Sequence, residues 1–299
     1  MMLTELQGKA RQPGRIILTG RTKPSRKRIY MDKKEPVVRK HVRILWTAWR
    51  DGLTRTDAAF LLQQPTIQPY LRDRWLAAAD EWLASELNPQ YEKAIQAAID
   101  GITAAYKRTK EAEFNLTYTN ILEWVREHGG ELIKELTEAQ ALSINALLQH
   151  QAFMGISSPG TLANMLKPMV GLLKREALAV ANYRAELVAQ GMQRAKVESM
   201  SERYADFLLR ARTERIARTE LAYAYEYGQL ETVRQLRDGG FVDDVEKEWI
   251  ASEDERMCDI CASLDGEKVG MNEKFSIGVE APPAHPGCRC DVGYSAIKR

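Results

Sequence analysis

The sequence has few cysteines, and none lies outside one short segment. All four occur between Cys258 and Cys290. This distribution does not indicate the disulfide framework of a secreted protein. In a reducing compartment, cysteines clustered in this way are typical of a metal site. The first charges are not followed by the apolar segment of a secretory signal peptide, and no apolar run approaches the roughly 18–20 residues that span a bilayer. We expect an intracellular protein with no membrane partner.

Sequence motifs of several enzyme classes are also missing. There is no Gly-rich phosphate loop, no G-x-S-x-G and no H-E-x-x-H. Histidine, the most frequent general base, occurs only four times. The formal net charge of +2 gives no overall indication of nucleic-acid or membrane binding. The sequence therefore gives no motif for these enzyme classes.

The positive charge is concentrated at the N-terminus. Residues 1–35 show no helical or strand period, and we expect them to form a flexible basic arm that contacts DNA or the acidic surface of a partner. The first fifty residues contain three acidic and fourteen basic residues, and the basic ones include Arg11, Arg15, Arg21, Lys23, Arg26, Lys27, Arg28, Lys33, Lys34, Arg39, Lys40 and Arg43.

From residue 36 onwards the apolar residues follow a helical period. In the region 36–154, for example, Leu71, Trp75 and Trp82 lie on one stripe of a helix. We expect the pair Gly129–Gly130 to end a helix in this region.

Two long helices are predicted in the region 155–240. They cover roughly residues 168–190 and 195–237, and Thr161 is a suitable N-cap for a shorter helix before them. After Gly240 the pattern changes.

Residues 241–299 contain short segments with strand character. Glu248–Ala251 and Asp291–Ile297 predict strands, and Glu267–Phe275, with Gly270 in the middle, predicts a hairpin or irregular loop. The predicted fold is therefore mainly α: a multi-helix body with a small C-terminal α+β module that a bound zinc ion stabilises.

Five potential zinc ligands lie in this module. Cys258 and Cys261 form a C-x-x-C knuckle, and His285, Cys288 and Cys290 form an H-x-x-C-x-C cluster. A closed structural zinc site takes four ligands. We favour the four cysteines, with His285 as the alternative to Cys290 for the fourth position. Free thiols and a thioredoxin-type redox pair are the alternatives, and the second lacks its usual βαβ setting. In a segment with little core, structural Zn²⁺ would supply the missing stability.

Polar residues flank the knuckle on both sides: Trp249, Asp254, Arg256, Asp265 and Gly266. Carboxylates paired with arginines form structural ion pairs more often than catalytic groups. We therefore expect the charged residues of this set to form ion pairs that dock a helix against the module.

The triplet Arg-Thr-Glu occurs twice, at 212–214 and at 218–220. Six residues at about 100° each place the copies about 240° apart around a helix, so we expect at most one of them to face the zinc module.

Taken in order, these motifs resemble the phage head morphogenesis family, the minor head proteins of the Mu F and SPP1 type. The resemblance covers roughly residues 155–294, and it depends on the order and spacing of several short motifs. They are Ile216–Leu221, Trp249, Asp254–Arg256, Cys258-x-x-Cys261, Leu264–Gly266, Phe275, Gly278 and His285–Cys290.

The resemblance implies a non-enzymatic minor head (capsid) protein of a tailed bacteriophage. Such a protein would be made in the host cytoplasm, lie at the portal vertex of the virion head, and act in head morphogenesis or in DNA packaging or ejection. The implied partners are the portal protein and a major capsid or scaffold protein. The basic arm adds packaged double-stranded DNA as a further expected partner, through salt-sensitive phosphate contacts.

Two other functions compete with this one. The first is a zinc-stapled nuclease of the HNH kind, with His285 as its base, but Ala284 and Pro286 leave that histidine without an adjacent carboxylate. The second is a DNA-binding regulator with a zinc finger. Gly270, Gly278 and the Pro282–Pro283 pair leave no room for a long recognition helix between the ligand pairs.

Overall fold

The structure is a computed structural model that describes most of the chain. It describes residues 15–18, 25–107, 119–150, 153, 155–252, 254–255 and 257–297. Most of the expected basic arm, including Arg11, Arg21 and Lys23, lies outside the described residues, and so does Arg256.

The described residues are mainly helical, as the sequence predicted. A π-helical turn, Leu83–Leu87, joins α3 to α4, and a 3₁₀ turn, Lys167–Met169, follows α6. The α-helices are α1 (Arg26–Gly52), α2 (Arg55–Gln63), α3 (Pro69–Trp82), α4 (Asn88–Lys107), α5 (Thr119–Leu148), α6 (Pro159–Leu166), α7 (Lys174–Ala189), α8 (Arg194–Asp238) and α9 (Asp259–Leu264). No helix in the described part of the chain is both long and apolar enough to cross a membrane.

The strands form one antiparallel sheet. Its strands are β1 (Arg15–Ile17), β2 (Val245–Ile250), β3 (Lys268–Gly270) and β4 (Asp291–Ile297), in the spatial order β1-β4-β2-β3. In the central pair, Trp249 lies opposite Val292 and Lys247 lies opposite Tyr294. The predicted strand at Asp291–Ile297 is confirmed, and β2 begins earlier than the predicted Glu248.

Two compact units divide the molecule. The first contains Met1–Ile29, Ile95–Thr117 and Tyr225–Arg299, and the second contains Tyr30–Ala94 and Tyr118–Ala224. Neither is a continuous stretch of chain, because α1, α4 and α8 each contribute residues to both. The first unit contains the sheet and the cysteines, and the second contains most of the helices.

Helix α1 begins at Arg26, inside the segment for which the sequence predicted no helix. Its inward positions follow a regular helical spacing, but two of them are the charged residues Lys27 and Glu35. Lys27 pairs with Glu226, and Glu35 accepts hydrogen bonds from Arg218. A hydrophobic pattern cannot reveal a helix face whose buried positions are ion-paired.

Helix α5 continues through Gly129–Gly130, so the predicted break there is wrong. A Cβ atom at Gly129 would lie 2.7 Å from Cδ2 of Leu83, which shows that this glycine allows a close helix approach. The two long helices are confirmed as α7 and α8. Helix α7 begins at Lys174 and not near residue 168, because a 3₁₀ turn at Lys167–Met169 and the positive φ of Gly171 precede it. The N-cap of α6 is Ser158 and not Thr161, because the Ser158 hydroxyl accepts the Thr161 backbone N–H at 3.4 Å.

The core of the second unit is built on tryptophans. Trp49 and Trp75 stack with ring centroids 5.6 Å apart, and each indole N–H donates to the backbone carbonyl of the other residue. Trp46 donates its indole N–H to the Thr213 hydroxyl. These large side chains are thus buried with their polar atoms satisfied.

Candidate metal centre

The five predicted ligands come from two segments of the first unit. Cys258 is the N-cap of the short helix α9, and its sulfur accepts the backbone N–H of Cys261 at 3.4 Å. His285 and Cys288 lie in the irregular segment that leads into β4, and Cys290 directly precedes that strand. The first turn of α9 positions the sulfurs of Cys258 and Cys261, and the start of β4 positions those of Cys288 and Cys290.

The side chains of the two segments meet. Nε2 of His285 lies 3.2 Å from Sγ of Cys258 and 3.2 Å from Sγ of Cys261. Sγ of Cys261 lies 3.7 Å from Sγ of Cys288. Two sets of three donors result, Cys258–Cys261–His285 and Cys261–Cys288–Cys290, and within each set the donor atoms lie within 4.8 Å of one another. Cys261 belongs to both sets.

These donors and spacings fit a tetrahedral zinc or similar soft divalent ion. Two sulfurs that each lie about 2.3 Å from such an ion are about 3.8 Å apart, close to the separation of Cys261 and Cys288. Thiolate and imidazole are the ligands that zinc prefers in structural sites. The arrangement can therefore hold a metal ion, with the fourth ligand of either set supplied by the other.

The thiols of the cluster differ in pKa, since that of Cys288 is lowered and those of Cys261 and Cys290 are raised. A hydrogen bond from the Cys290 thiol lowers the pKa of Cys288 to about 4. Burial raises the pKa of Cys261 to about 12, and the pKa of Cys290 is raised by its hydrogen bond to Cys288 and by burial. The crowded sulfurs thus share protons, and a divalent cation that replaces those protons would let all of them ionise.

His285 is oriented as metal-binding histidines usually are. Its Nδ1 lies 3.1 Å from the backbone carbonyl of Pro286, which suits an Nδ1–H donor and leaves the lone pair of Nε2 directed at the two knuckle sulfurs. Burial opposes the charged imidazolium, but the Pro286 carbonyl and the neighbouring thiolates raise the pKa of His285 overall.

The cluster lies within the hydrophobic core of the first unit. Cys261, Cys288 and Cys290 are buried in one cluster with Trp249 and Phe275, whose rings meet edge to face at 5.1 Å. Cys258 and His285 are half-buried beside it. A bound ion would therefore lie partly within this core and would link α9 to the start of β4.

A buried lysine, Lys27, connects this region to α1 and α8. Its Nζ donates to Oε1 of Glu226 and to the backbone carbonyl of Cys290, both at 2.6 Å. Burial alone would lower the pKa of Lys27, but Glu226 and Asp291 raise it overall. Burial raises the pKa of the partner Glu226 well above its ordinary value, although Lys27 opposes that rise. Sequence reasoning missed this contact because Lys27 was assigned to the arm. The signal was its i, i+4 spacing to the apolar Met31.

Several of the residues around the knuckle make hydrogen bonds within the module, and these bonds suit the docking role that we expect of them. Arg289 donates to Asp254 at 2.8 Å, and Asp265 accepts the backbone N–H of Ala251 at 2.9 Å. The backbone N–H of Gly266 donates to the Trp249 carbonyl. The bonds of Asp265 and Gly266 tie the end of α9 to the end of β2, and the bond of Arg289 ties the segment before β4 to the loop after β2.

The Arg-Thr-Glu copies bond to residues of the second unit. Arg212 donates to the Gly171 carbonyl, and Arg218 pairs with Glu35. Glu220 accepts the Tyr91 hydroxyl at 2.6 Å and lies 2.8 Å from Nε2 of His128. These bonds hold helices of the body together.

Comparison with known proteins supports the resemblance drawn from the motifs. Residues 179–293 match the family described as Phage Mu protein F like protein. The match covers less than half of the chain and includes the candidate metal centre, most of α7, and all of α8. It indicates a phage head-related protein, so the resemblance to the head morphogenesis family is confirmed over this segment. No curated protein and no solved structure matches the chain.

Proposed function

We propose that the protein is a minor head protein of a tailed bacteriophage. In this proposal it lies at the portal vertex of the virion and acts in head morphogenesis or in the packaging or ejection of DNA. The observation that carries the proposal is the match of residues 179–293 to the Phage Mu protein F like family. The helical body supports it, since long packed helices offer extended surfaces for assembly.

The proposal includes a structural Zn²⁺ held by the C-terminal module. Cys258, Cys261 and Cys288 supply three thiolates, and we assign the fourth position to His285. The sequence alone favoured Cys290. His285 is preferred because its Nε2 lies 3.2 Å from two of the sulfurs and its Nδ1 faces a backbone carbonyl.

Two ligand variants distinguish these sets. With His285 as a ligand, His285→Asn weakens zinc affinity by more than about a hundredfold, since losing even an outer partner of a ligand costs about 10–100-fold. Cys290→Ser then costs less. Competition with a chromogenic chelator measures both affinities. The opposite order would assign the fourth position to Cys290.

The role is proposed to be non-enzymatic. Four protein ligands close the coordination shell of zinc, so no position remains for a reactive water. The nuclease alternative predicts divalent-metal-dependent nicking of phage DNA by the purified chain, lost in His285→Asn. Such nicking would replace the present proposal.

DNA remains a proposed partner through the basic N-terminal segment. Lys27 takes no part in that contact, because its side chain is 4% exposed and its ammonium group is bonded to Glu226 and Cys290. Arg26 donates to the carbonyl of Gly101. The residues to test for phosphate contacts are therefore Arg11, Arg21 and Lys23, with the salt dependence of binding as the measurement.

Quantitative mass spectrometry of purified particles tests the proposed function. The chain is counted against the portal protein in proheads and in mature virions of the source phage. A portal-vertex protein gives a copy number of the same order as the portal subunit. Absence from both kinds of particle would overturn the assignment.

A further inference from the structure

A groove on the second unit runs between α1 and α8. It has a volume of about 1090 Å³ and is lined by residues between Pro36 and Asp51 on one side and between Phe207 and Glu214 on the other. At about 1.5 Å per residue, the α1 side is about 22 Å long, or roughly four helical turns. We call it the α1/α8 groove.

The apolar part of this groove is exposed. Phe207 is 65% exposed and Ile44 is 42% exposed, and the small side chains of Ala48 and Ala211 lie beside them. An exposed phenylalanine costs free energy in water unless a partner covers it.

The outer face of α1 has the spacing of a helix-packing seam. Lys33, Val37, Lys40, Ile44 and Thr47 succeed one another at alternating steps of four and three residues, and all are exposed. This is the heptad spacing with which one helix packs along another. Helix α8 presents residues at the same three- and four-residue spacing on the other side of the groove: Phe207, then Arg210 or Ala211, then Glu214.

The charges of the groove are mostly basic. Arg210 pairs with Asp206, and Arg39 lies 3.9 Å from Glu214. Lys40 and Arg43 line the groove, are exposed, and have no ion pair among the described residues. Two cations are therefore available beside an apolar floor.

We propose that the α1/α8 groove binds an acidic amphipathic helix of another head protein. A helix of about four turns fits the length of the groove, its apolar stripe would cover Ile44 and Phe207, and its carboxylates would pair with Lys40 and Arg43. Duplex DNA could use the cations but not the exposed phenylalanine. This inference rests on the proposed function, because the partner is a protein of the same particle.

Photo-crosslinking during assembly tests the groove. The full-length chain carries benzoylphenylalanine in place of Phe207 and is supplied to infected cells, and the cross-linked peptide is identified by mass spectrometry. The expected product joins position 207 to one helical segment that has an acidic and an apolar face. Benzoylphenylalanine in place of Leu142, which is 61% exposed on α5, is the matched control and gives no such product.

Charge reversal gives the second arm. Lys40→Glu with Arg43→Glu lowers the yield of the position-207 product about tenfold, because both ion pairs become repulsive. Lys93→Glu with Lys134→Glu, two exposed lysines on other helices, leaves it unchanged. Cross-links to DNA or to a second copy of the chain, no cross-link at all, or a product insensitive to charge reversal would each overturn the proposal. Any of these results, with the chain still counted in particles, leaves the proposed function standing.

Discussion

The second unit and the C-terminal module of the first unit stabilise their interiors by different means. In the second unit, long helices bury large side chains, and the indole N–H groups of Trp49 and Trp75 each donate to the backbone carbonyl of the other residue. In the module, residues 241–297, regular structure is sparse, and three buried thiols lie in the core where apolar side chains would be expected. The module also brings together side chains that could hold a metal ion, and no such donor group is found in the described part of the helical unit. A bound cation would let the crowded thiols of the module ionise.

The largest predicted effect is that of a substitution that should destabilise the module and leave the second unit intact. Cys261→Ser removes the sulfur shared by both donor sets, and a structural zinc ion contributes a large part of the folding free energy of a small module. We expect loss of bound zinc and rapid amide exchange throughout 245–297, while α5 and α7 stay protected. Hydrogen exchange followed by mass spectrometry measures both regions at once.

The control for this variant is Ser263→Ala on the same short helix, whose side chain is exposed. Acid should act like the substitution, since the zinc affinity falls when protons compete for the thiolates. Equal loss of protection in both units of Cys261→Ser would contradict the comparison.

A smaller effect is expected where α1 meets the module. Lys27→Met leaves the buried Glu226 carboxyl and the Cys290 carbonyl without their donor, and breaking one side of a buried pair costs about 3–5 kcal/mol. Arg28→Met, an exposed neighbour, is the control. Urea unfolding gives the free energies, and similar values for both variants would show that the pair contributes nothing.

The adjacent glycines of α5 test close packing within the second unit. Gly129→Ala places a methyl group 2.7 Å from the buried Leu83 side chain and should lower the free energy of unfolding by about 1–3 kcal/mol. Gly130→Ala meets nothing within 4 Å and should raise it by about 0.5–1 kcal/mol, through the better helix propensity of alanine. Thermal unfolding shows whether each substitution raises or lowers the stability. If both substitutions shifted it in the same direction, the close contact between Gly129 and Leu83 would be contradicted.

The smallest expected destabilisation concerns a single hydrogen bond. Tyr91→Phe removes the hydroxyl that donates to Glu220 and should cost about 1–2 kcal/mol, moderated because His128 contacts the same oxygen. Tyr204→Phe, whose hydroxyl has no hydrogen bond among the described residues, is the matched control. A loss no larger than the control's would mean that His128 alone satisfies the carboxylate.

The two regions also differ in how far the sequence predicted them. The apolar periods of α7 and α8 and the cysteine spacing predicted the long helices and the donor set, because both signals are local. The start of α1 was missed, since Lys27 and Glu35 are buried only through partners on α8, about two hundred positions later in the chain. The continuity of α5 was missed for the same reason, because the contact of Gly129 with Leu83 is a tertiary one.

Native mass spectrometry of the purified chain shows whether the module holds a metal ion. We expect one zinc ion per chain, and removing it with a chelator should abolish the protection of residues 245–297 against hydrogen exchange but not that of α5. A chain that binds no metal and still protects the module would rule out a structural zinc site, because its buried thiols would then be stable without a cation.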